Sequence, residues 1–164
     1  MTETNKNLYL FRHSLATKST RGYGKKILSA DILPEGIASI KKLALFLKDI
    51  TDTEFFSSKI KRCRQTTKII TKITHKKFQF DRRLNEYYHE RFSDFKNRVK
   101  DFLESLVTSD HQNIVVCTHG MVIAGIKHFI LENKFIWKNK LDYPQTGELV
   151  ILENKTIRLI NFNA

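Results

Sequence analysis

The chain has 164 residues, with 29 Lys plus Arg against 17 Asp plus Glu and a formal net charge of +12 when His is neutral. With 41% of residues apolar and 28% charged, the composition excludes a disordered chain, and the length fits one domain over residues 1–164. No apolar run approaches the roughly 20 residues that span a bilayer, residues 1–7 are polar without an apolar leader, and Cys63 and Cys117 are too few for a disulfide framework or a four-ligand zinc site. The expectation is a cytoplasmic protein with reduced thiols and no membrane partner. The positive charge suits an anionic partner, nucleic acid or a phosphorylated substrate, although a Lys-rich composition alone would produce it.

Residues 7–11 are a short apolar run rich in β formers, which predicts a buried strand ending at Arg12 and His13. A polar stretch, 14–30, follows. Pro34 and Glu35 then open a helix on which Ile37, Ile40, Ala44 and Leu47 recur at helical spacing. Residues 54–56 predict a second strand that stops at Ser57 and Ser58. A helix over 62–73 places Cys63, Thr67, Ile70 and Ile73 on one face, and 77–80 predict a third strand. Residues 93–107 set Phe95, Val99, Phe102 and Leu106 on one helical stripe. Residues 113–117 form another buried strand, ending at Thr118, His119 and Gly120, and 121–131 are helical. Residues 147–152 and 156–162 close the chain as a hairpin around Asn154 and Lys155.

Strands alternating with helices predict an α/β fold: a three-layer α/β/α sandwich with a mostly parallel central sheet, helices on both faces and an antiparallel edge. Ligands of such sheets bind beyond the carboxyl ends of the strands. Three predicted strands end there in related residues: Arg12-His13, Ser57-Ser58 with Arg62 close by, and Thr118-His119. Side by side, they bring two imidazoles and two guanidiniums to one oxyanion site. A neutral His whose second ring nitrogen is held by a backbone carbonyl can attack phosphorus, and His13 fits that role. Arg12 and Arg62 offer planar forks for phosphate oxygens, and His119 stands at a helix amino terminus, where anions are favoured. No metal or other cofactor is needed. A carboxylic acid must protonate the leaving group and later deprotonate water; Glu86 is the first choice and Glu90 the reserve. Ser58 and His89 complete the expected pocket.

At these residues the sequence resembles the histidine phosphatase superfamily, the phosphoglycerate-mutase-like group and in particular its small phosphatases. Arg12-His13-Ser14 is similar to its Arg-His-Gly motif, and Leu33-Pro34-Glu35-Gly36 to the Leu-Thr-x-x-Gly before its first helix. Ser58 through Arg62 to Gln65-Thr66 matches Ser-x-x-x-Arg-x-x-Gln-Thr. Leu84-Asn85-Glu86 and Thr118-His119-Gly120 correspond to the Leu-x-Glu and Ser-His-Gly motifs. The resemblance implies a phosphohistidine intermediate on His13, a phosphate pocket of Arg12, Arg62 and His119, and Glu86 as proton donor. Ser14 stands where the motif has glycine, and its hydroxyl is expected to add a bond to phosphate. The segment between Glu86 and the Phe95 helix is shorter than the covering insertion of true mutases, so the site is expected to be open and to favour hydrolysis over mutase chemistry.

Other features take plainer roles. Lys59, Lys61 and Arg64 are expected on a solvated face, the segment best suited to nucleic-acid contact. Neither cysteine has an arginine six positions on, which excludes a cysteine-dependent phosphatase loop. Gly22-Tyr23-Gly24-Lys25-Lys26 falls short of a phosphate-binding loop, with Ser19 where the first glycine should stand, and is expected to be a flexible basic turn that helps admit substrate. His75, His89, His111 and His128 have no evident partners. The competing reading from the same residues is an inactive relative that binds phosphorylated ligands or nucleic acid through its basic face.

Overall fold

A computed structural model describes residues 4–164; the first three residues of the polar start expected at 1–7 lie outside it. The two buried apolar runs become β1 (Asn7–Arg12) and β4 (Asn113–Thr118), which pair in parallel with Arg12 opposite Thr118. β2 (Thr53–Ser57) pairs in parallel with the other side of β4 and with β3 (Gln79–Phe80). β5 (Glu148–Glu153) runs antiparallel to β1, and β6 (Thr156–Asn161) completes the sheet. The order is β3-β2-β4-β1-β5-β6, the mostly parallel sheet with an antiparallel edge that the sequence predicts.

The connections from β1 to β2 and from β2 to β3 step toward one edge, and that from β3 to β4 steps back. Because such crossovers are right-handed, this reversal puts α1 (Ile37–Lys48) and α2 (Lys61–Thr74) on one face and α3 (Phe92–Ser105) on the other. α4 (Gly120–Glu132) packs beside α3. Alternation along β1 serves both layers. Leu8 and Leu10 join Phe95, Val99 and Phe102 of α3 and Val122 and Ile126 of α4. Tyr9 and Phe11 face Ile40, Leu43 and Leu47 of α1 and Cys63 and Ile70 of α2. The reversal also sets β1 and β4 side by side with their carboxyl ends at one edge, so the residues that follow them meet there.

Three elements differ in extent from expectation. The third strand shrinks from 77–80 to two exposed residues, because it is an edge strand paired only with Phe56 and Ser57. The helix expected at Pro34 begins as a 3-10 turn, Pro34–Gly36, and becomes α1 at Ile37. α3 ends at Ser105, whose hydroxyl bonds back to the Phe102 carbonyl, and Leu106–Thr108 tighten into a 3-10 turn. In the closing hairpin, Asn154 and Lys155 take φ of 49° and 58°, which matches the two left-handed positions of a type I′ turn. No helix among the described residues is long and apolar enough to cross a membrane.

Gly36 anchors the segment that leaves β1. A Cβ there would lie 2.5 Å from the Ser14 hydroxyl and 2.9 Å from the Leu15 backbone nitrogen, closer than real Cβ contacts come. Leu33 N–H donates to the Leu15 carbonyl at 2.7 Å, so this backbone has little room to retreat. Gly36→Ala is expected to destabilise the protein by about 1–3 kcal/mol in urea titrations.

Candidate active site

The end of β1 delivers His13 with no exposed surface. Its Nδ1 lies 2.7 Å from the Ser14 carbonyl, an acceptor only, so Nδ1 carries the proton and donates. Nε2 keeps a lone pair, which accepts from Arg62 Nε at 3.0 Å. Both contacts define one neutral tautomer. Burial holds the His13 pKa well below its usual 6.5; the Arg62 guanidinium pushes the same way, and the Ser14 carbonyl opposes them. The Ser14 amide is tied to Thr66 Oγ1 at 2.8 Å, and Thr66 donates to the Arg62 carbonyl at 2.7 Å. Gln65 accepts from Ile32 N–H at 2.9 Å and donates to Asp31 at 2.8 Å. The Gln-Thr pair of α2 therefore pins the chain after β1 to the helix that carries Arg62.

Arg62 is the hub. Fully buried, it donates to His13, to the Ile27 carbonyl and, at 3.0 Å, to Glu86 Oε2. Its Nη2 lies 3.3 Å from His119 Nδ1, and its guanidinium stacks 4.2 Å from the Tyr23 ring centroid. His119, the residue capping the start of α4, has Nε2 2.9 Å from Ser58 Oγ. Ser58 in turn donates to Asn85 Oδ1 at 2.9 Å, so it accepts from His119 Nε2–H, and His119 Nδ1 holds its lone pair toward Arg62. Burial, then the neighbouring His13 and Arg62, keeps the His119 pKa well below 6.5. The two imidazoles are 5.4 Å apart between ring centroids.

Glu86 Oε2 lies 3.4 Å from His119 Nδ1. Burial raises its pKa above 4.5, with Arg62 the main opposing influence. Its side chain keeps 17% exposure, enough to exchange a proton with water at the mouth. Arg12 lines the cleft above, stacked 5.0 Å from the Tyr143 ring centroid, and its buried Nε has no partner. An unpaired, buried guanidinium nitrogen beside His13 suits an anion's oxygen.

The remaining expected residues fall elsewhere. The buried Ser14 hydroxyl lies against Gly36 without a hydrogen-bond partner. Glu90 is tied to Arg98 at 2.5 Å and faces a second cleft with Arg82 and Arg83, apart from the imidazoles. His89 is exposed and edge-on to Tyr88. The expected absence of partners is corrected for two histidines: His111 Nδ1 is 3.1 Å from Asp52, and His128 Nε2 is 2.7 Å from Asp142. Long-range loop contacts supply both.

The expectation of an open site is also corrected. His13, Arg62 and His119 have no exposed surface, because the turn at Gly22–Gly24 lays Tyr23 over them, with its hydroxyl 3.4 Å from His13 Nε2. The cover comes from the segment after β1 rather than from the short link after Glu86. Tyr143 closes the other side by packing on Gly120, where a Cβ would lie 2.6 Å from the ring. Sequence reasoning missed both tyrosines; only the glycines flanking Tyr23 hinted at a turn.

A doubly covered sheet whose paired strand ends bring two neutral imidazoles and two arginines into one cluster, buried beneath a cleft that Arg12 and Glu86 line, defines the phosphoglycerate-mutase-like class of α/β proteins. The sequence profile described as histidine phosphatase superfamily (branch 1) matches residues 8–89 and 85–163, and the chain belongs to that superfamily. It is 25% identical to "Putative phosphoserine phosphatase 2" of Hydrogenobacter thermophilus, an alignment covering 96% of this chain and 95% of that one. Its fold matches the alpha-ribazole phosphatase from Shigella flexneri with a TM-score of 0.73 at 17% identity, over 96% of each chain. It also matches the "putative phosphohistidine phosphatase SixA" from Agrobacterium tumefaciens, with a TM-score of 0.66 at 18% identity, over 97% of each chain.

Proposed function

We propose that the protein, acting as one domain over residues 1–164, is a phosphatase that hydrolyses a phosphomonoester or a protein phospho-residue through a phosphohistidine on His13, without a metal. One observation carries this reading: the His13 Nδ1–H bond to the Ser14 carbonyl, which leaves the Nε2 lone pair facing Arg62. Names of relatives point the same way, a phosphoserine phosphatase by sequence and phosphatases by fold.

At rest the hub is self-satisfied. A phosphate entering from the cleft takes over the Arg62 bonds now made to His13 and Ile27, and Arg12 Nε gains an acceptor. His119 takes the acidic proton of the phosphate monoanion on Nδ1 and donates it back to a phosphate oxygen. His13 Nε2 attacks phosphorus, the bond to the ester oxygen breaks, and the departing oxygen takes the proton of Glu86. Water then attacks the phosphorus, Glu86 takes its proton, and the N–P bond breaks with its electron pair returning to Nε2. Arginines and His119 hold the charge that spreads over the non-bridging oxygens.

The test is hydrolysis of p-nitrophenyl phosphate and ethyl phosphate in the presence of a chelator, with trapping of an acid-labile, base-stable phosphoenzyme. Binding of phosphate without turnover would leave the inactive-relative reading standing, and loss of all activity to the chelator would overturn the metal-independent one. Incubation with 3-phosphoglycerate is expected to give no 2-phosphoglycerate.

The pH profile for an alkyl ester follows from the two shifts. His13 must be neutral, and its pKa lies well below 6.5, so the acidic limb falls below that value. Glu86 must be protonated in the first step, and its pKa lies above 4.5, so activity declines as pH rises through that raised value. In Glu86→Gln the alkaline limb is expected to vanish from the pH dependence of kcat/KM, whereas a limb that persists assigns the acid to another residue.

A further inference from the structure

The phosphate-binding residues explain one end of the cleft, but not what lines the rest of it. The cleft has a volume of about 460 Å³, and its largest lining side chains are aromatic, Tyr23, Tyr87, Trp137 and Tyr143, set among Thr17, Ser19, Thr20, Met121 and Lys140. Tyr23 touches His13 Nε2, Tyr143 stacks on Arg12, and Tyr87 follows Glu86 directly in the chain. Tyr87 leads to Trp137, whose ring centroid is 5.9 Å away.

Trp137 is the sole tryptophan of the chain and is 48% exposed. It is nevertheless fixed, standing edge-on to Tyr87 and, at 5.2 Å between centroids, to Phe92. The Lys140 ammonium, on a flexible stem, rests 4.2 Å from its ring centroid. A large indole held by its neighbours yet facing water is a ready stacking surface. Glu86 is the sole carboxylate among the described lining residues; the other polar side chains there are Arg12, the hydroxyls of Thr17, Ser19 and Thr20, the tyrosine hydroxyls and the Lys140 ammonium.

We propose that the alcohol portion of the substrate carries an aromatic ring, which stacks against Trp137 and the flanking tyrosines while its phosphate occupies the Arg12, His13, Arg62 and His119 end. This specificity rests on the phosphatase reading and adds the substrate class to it. Arg12 lies against Tyr143 and Arg62 against Tyr23, so aromatic faces of the cleft adjoin both guanidiniums, and Glu86 lines the same cleft.

The test compares benzyl with cyclohexylmethyl, two six-membered rings on a methylene whose alcohols are similar leaving groups. The non-hydrolysable benzylphosphonate and cyclohexylmethylphosphonate are titrated by calorimetry against the full chain, and turnover of the matching phosphate esters is measured in parallel. Stacking on a fixed indole is expected to favour the benzyl compound by about 3- to 10-fold in both Kd and kcat/KM. In Trp137→Ala and Trp137→Leu that ratio is expected to fall toward one, and in the wild type the Trp137 emission is expected to change with benzylphosphonate more than with methylphosphonate. Equal affinities, or a preference untouched in whichever Trp137 variant folds, would overturn the proposal. A benzyl preference in binding without hydrolysis of either ester would refute the phosphatase reading and leave the aromatic specificity standing; hydrolysis without preference would do the reverse.

Discussion

His13→Ala is expected to lower turnover of p-nitrophenyl phosphate by at least about 10⁴-fold, because no other group in the site can replace the proposed nucleophile. The alternatives within reach are poor. His119 Nε2 is engaged with Ser58, its Nδ1 faces Arg62 and Glu86, and Cys63 is fully buried behind it, 3.6 Å from Nε2. The substitution should leave the fold in place. It removes an imidazole whose only backbone partner is the Ser14 carbonyl, and water can replace that donor once the ring is gone. Arg12, Arg62 and His119 remain, so inorganic phosphate is expected to bind the variant nearly as well as the wild type, as measured by calorimetry. Lost turnover with kept binding separates a nucleophile from a pocket wall. Turnover above about one hundredth of the wild-type rate would end the phosphohistidine mechanism.

The parts of this site that were legible in the sequence belong to strands. β1 and β4 are continuous apolar runs buried from both faces, and such runs announce where they stop. The polar residues at those stops, His13 and His119, could therefore be paired on paper before any geometry was known. Arg62 was legible for a similar reason, since the spacing from Ser58 places it in the first turn of α2. What pairing could not reveal is what loops do. Tyr23 sits in a polar stretch without periodicity, and its place over His13 depends on Arg62 drawing the Ile27 carbonyl and the tyrosine face together. A short link after Glu86 therefore suggested an open site, although the cover comes from the turn after β1.

The preference for Glu86 over Glu90 rested on the Leu84-Asn85-Glu86 motif, because local pattern alone does not separate them. Four residues apart, both follow the third strand and both could face the imidazoles. In the structure Arg98 on α3 binds the Glu90 carboxylate and donates to the Glu86 backbone carbonyl at 3.2 Å, while the Glu86 carboxylate meets Arg62. No pattern on one helix shows which loop carboxylate an arginine will capture. The excess positive charge had no bearing on the choice; the guanidiniums at this site are buried Arg62 and half-buried Arg12.

Arg62→Ala is expected to lower kcat/KM by about 10³- to 10⁵-fold, the range seen when an arginine that stabilises a transferring phosphoryl group is removed. Arg62→Lys should recover little of it. The fork now reaches His13, Ile27 and Glu86 while lying against the Tyr23 face, and one ammonium on a flexible stem cannot span those directions. Stability should fall less than activity. Removing one partner of a buried ion pair typically costs about 3–5 kcal/mol, but Glu86 already has a raised pKa and can take a proton, so the loss in urea titrations should sit at or below the low end of that range. The pH dependence carries the sharper test. Arg62 lowers the pKa of His13, of His119 and of Glu86, so without it all three rise. Both limbs of the residual profile are expected to move to higher pH in Arg62→Ala, the acidic one because His13 protonates sooner and the alkaline one because Glu86 keeps its proton longer. A profile that loses height without moving would mean that Arg62 only grips phosphate and does not tune the groups around it.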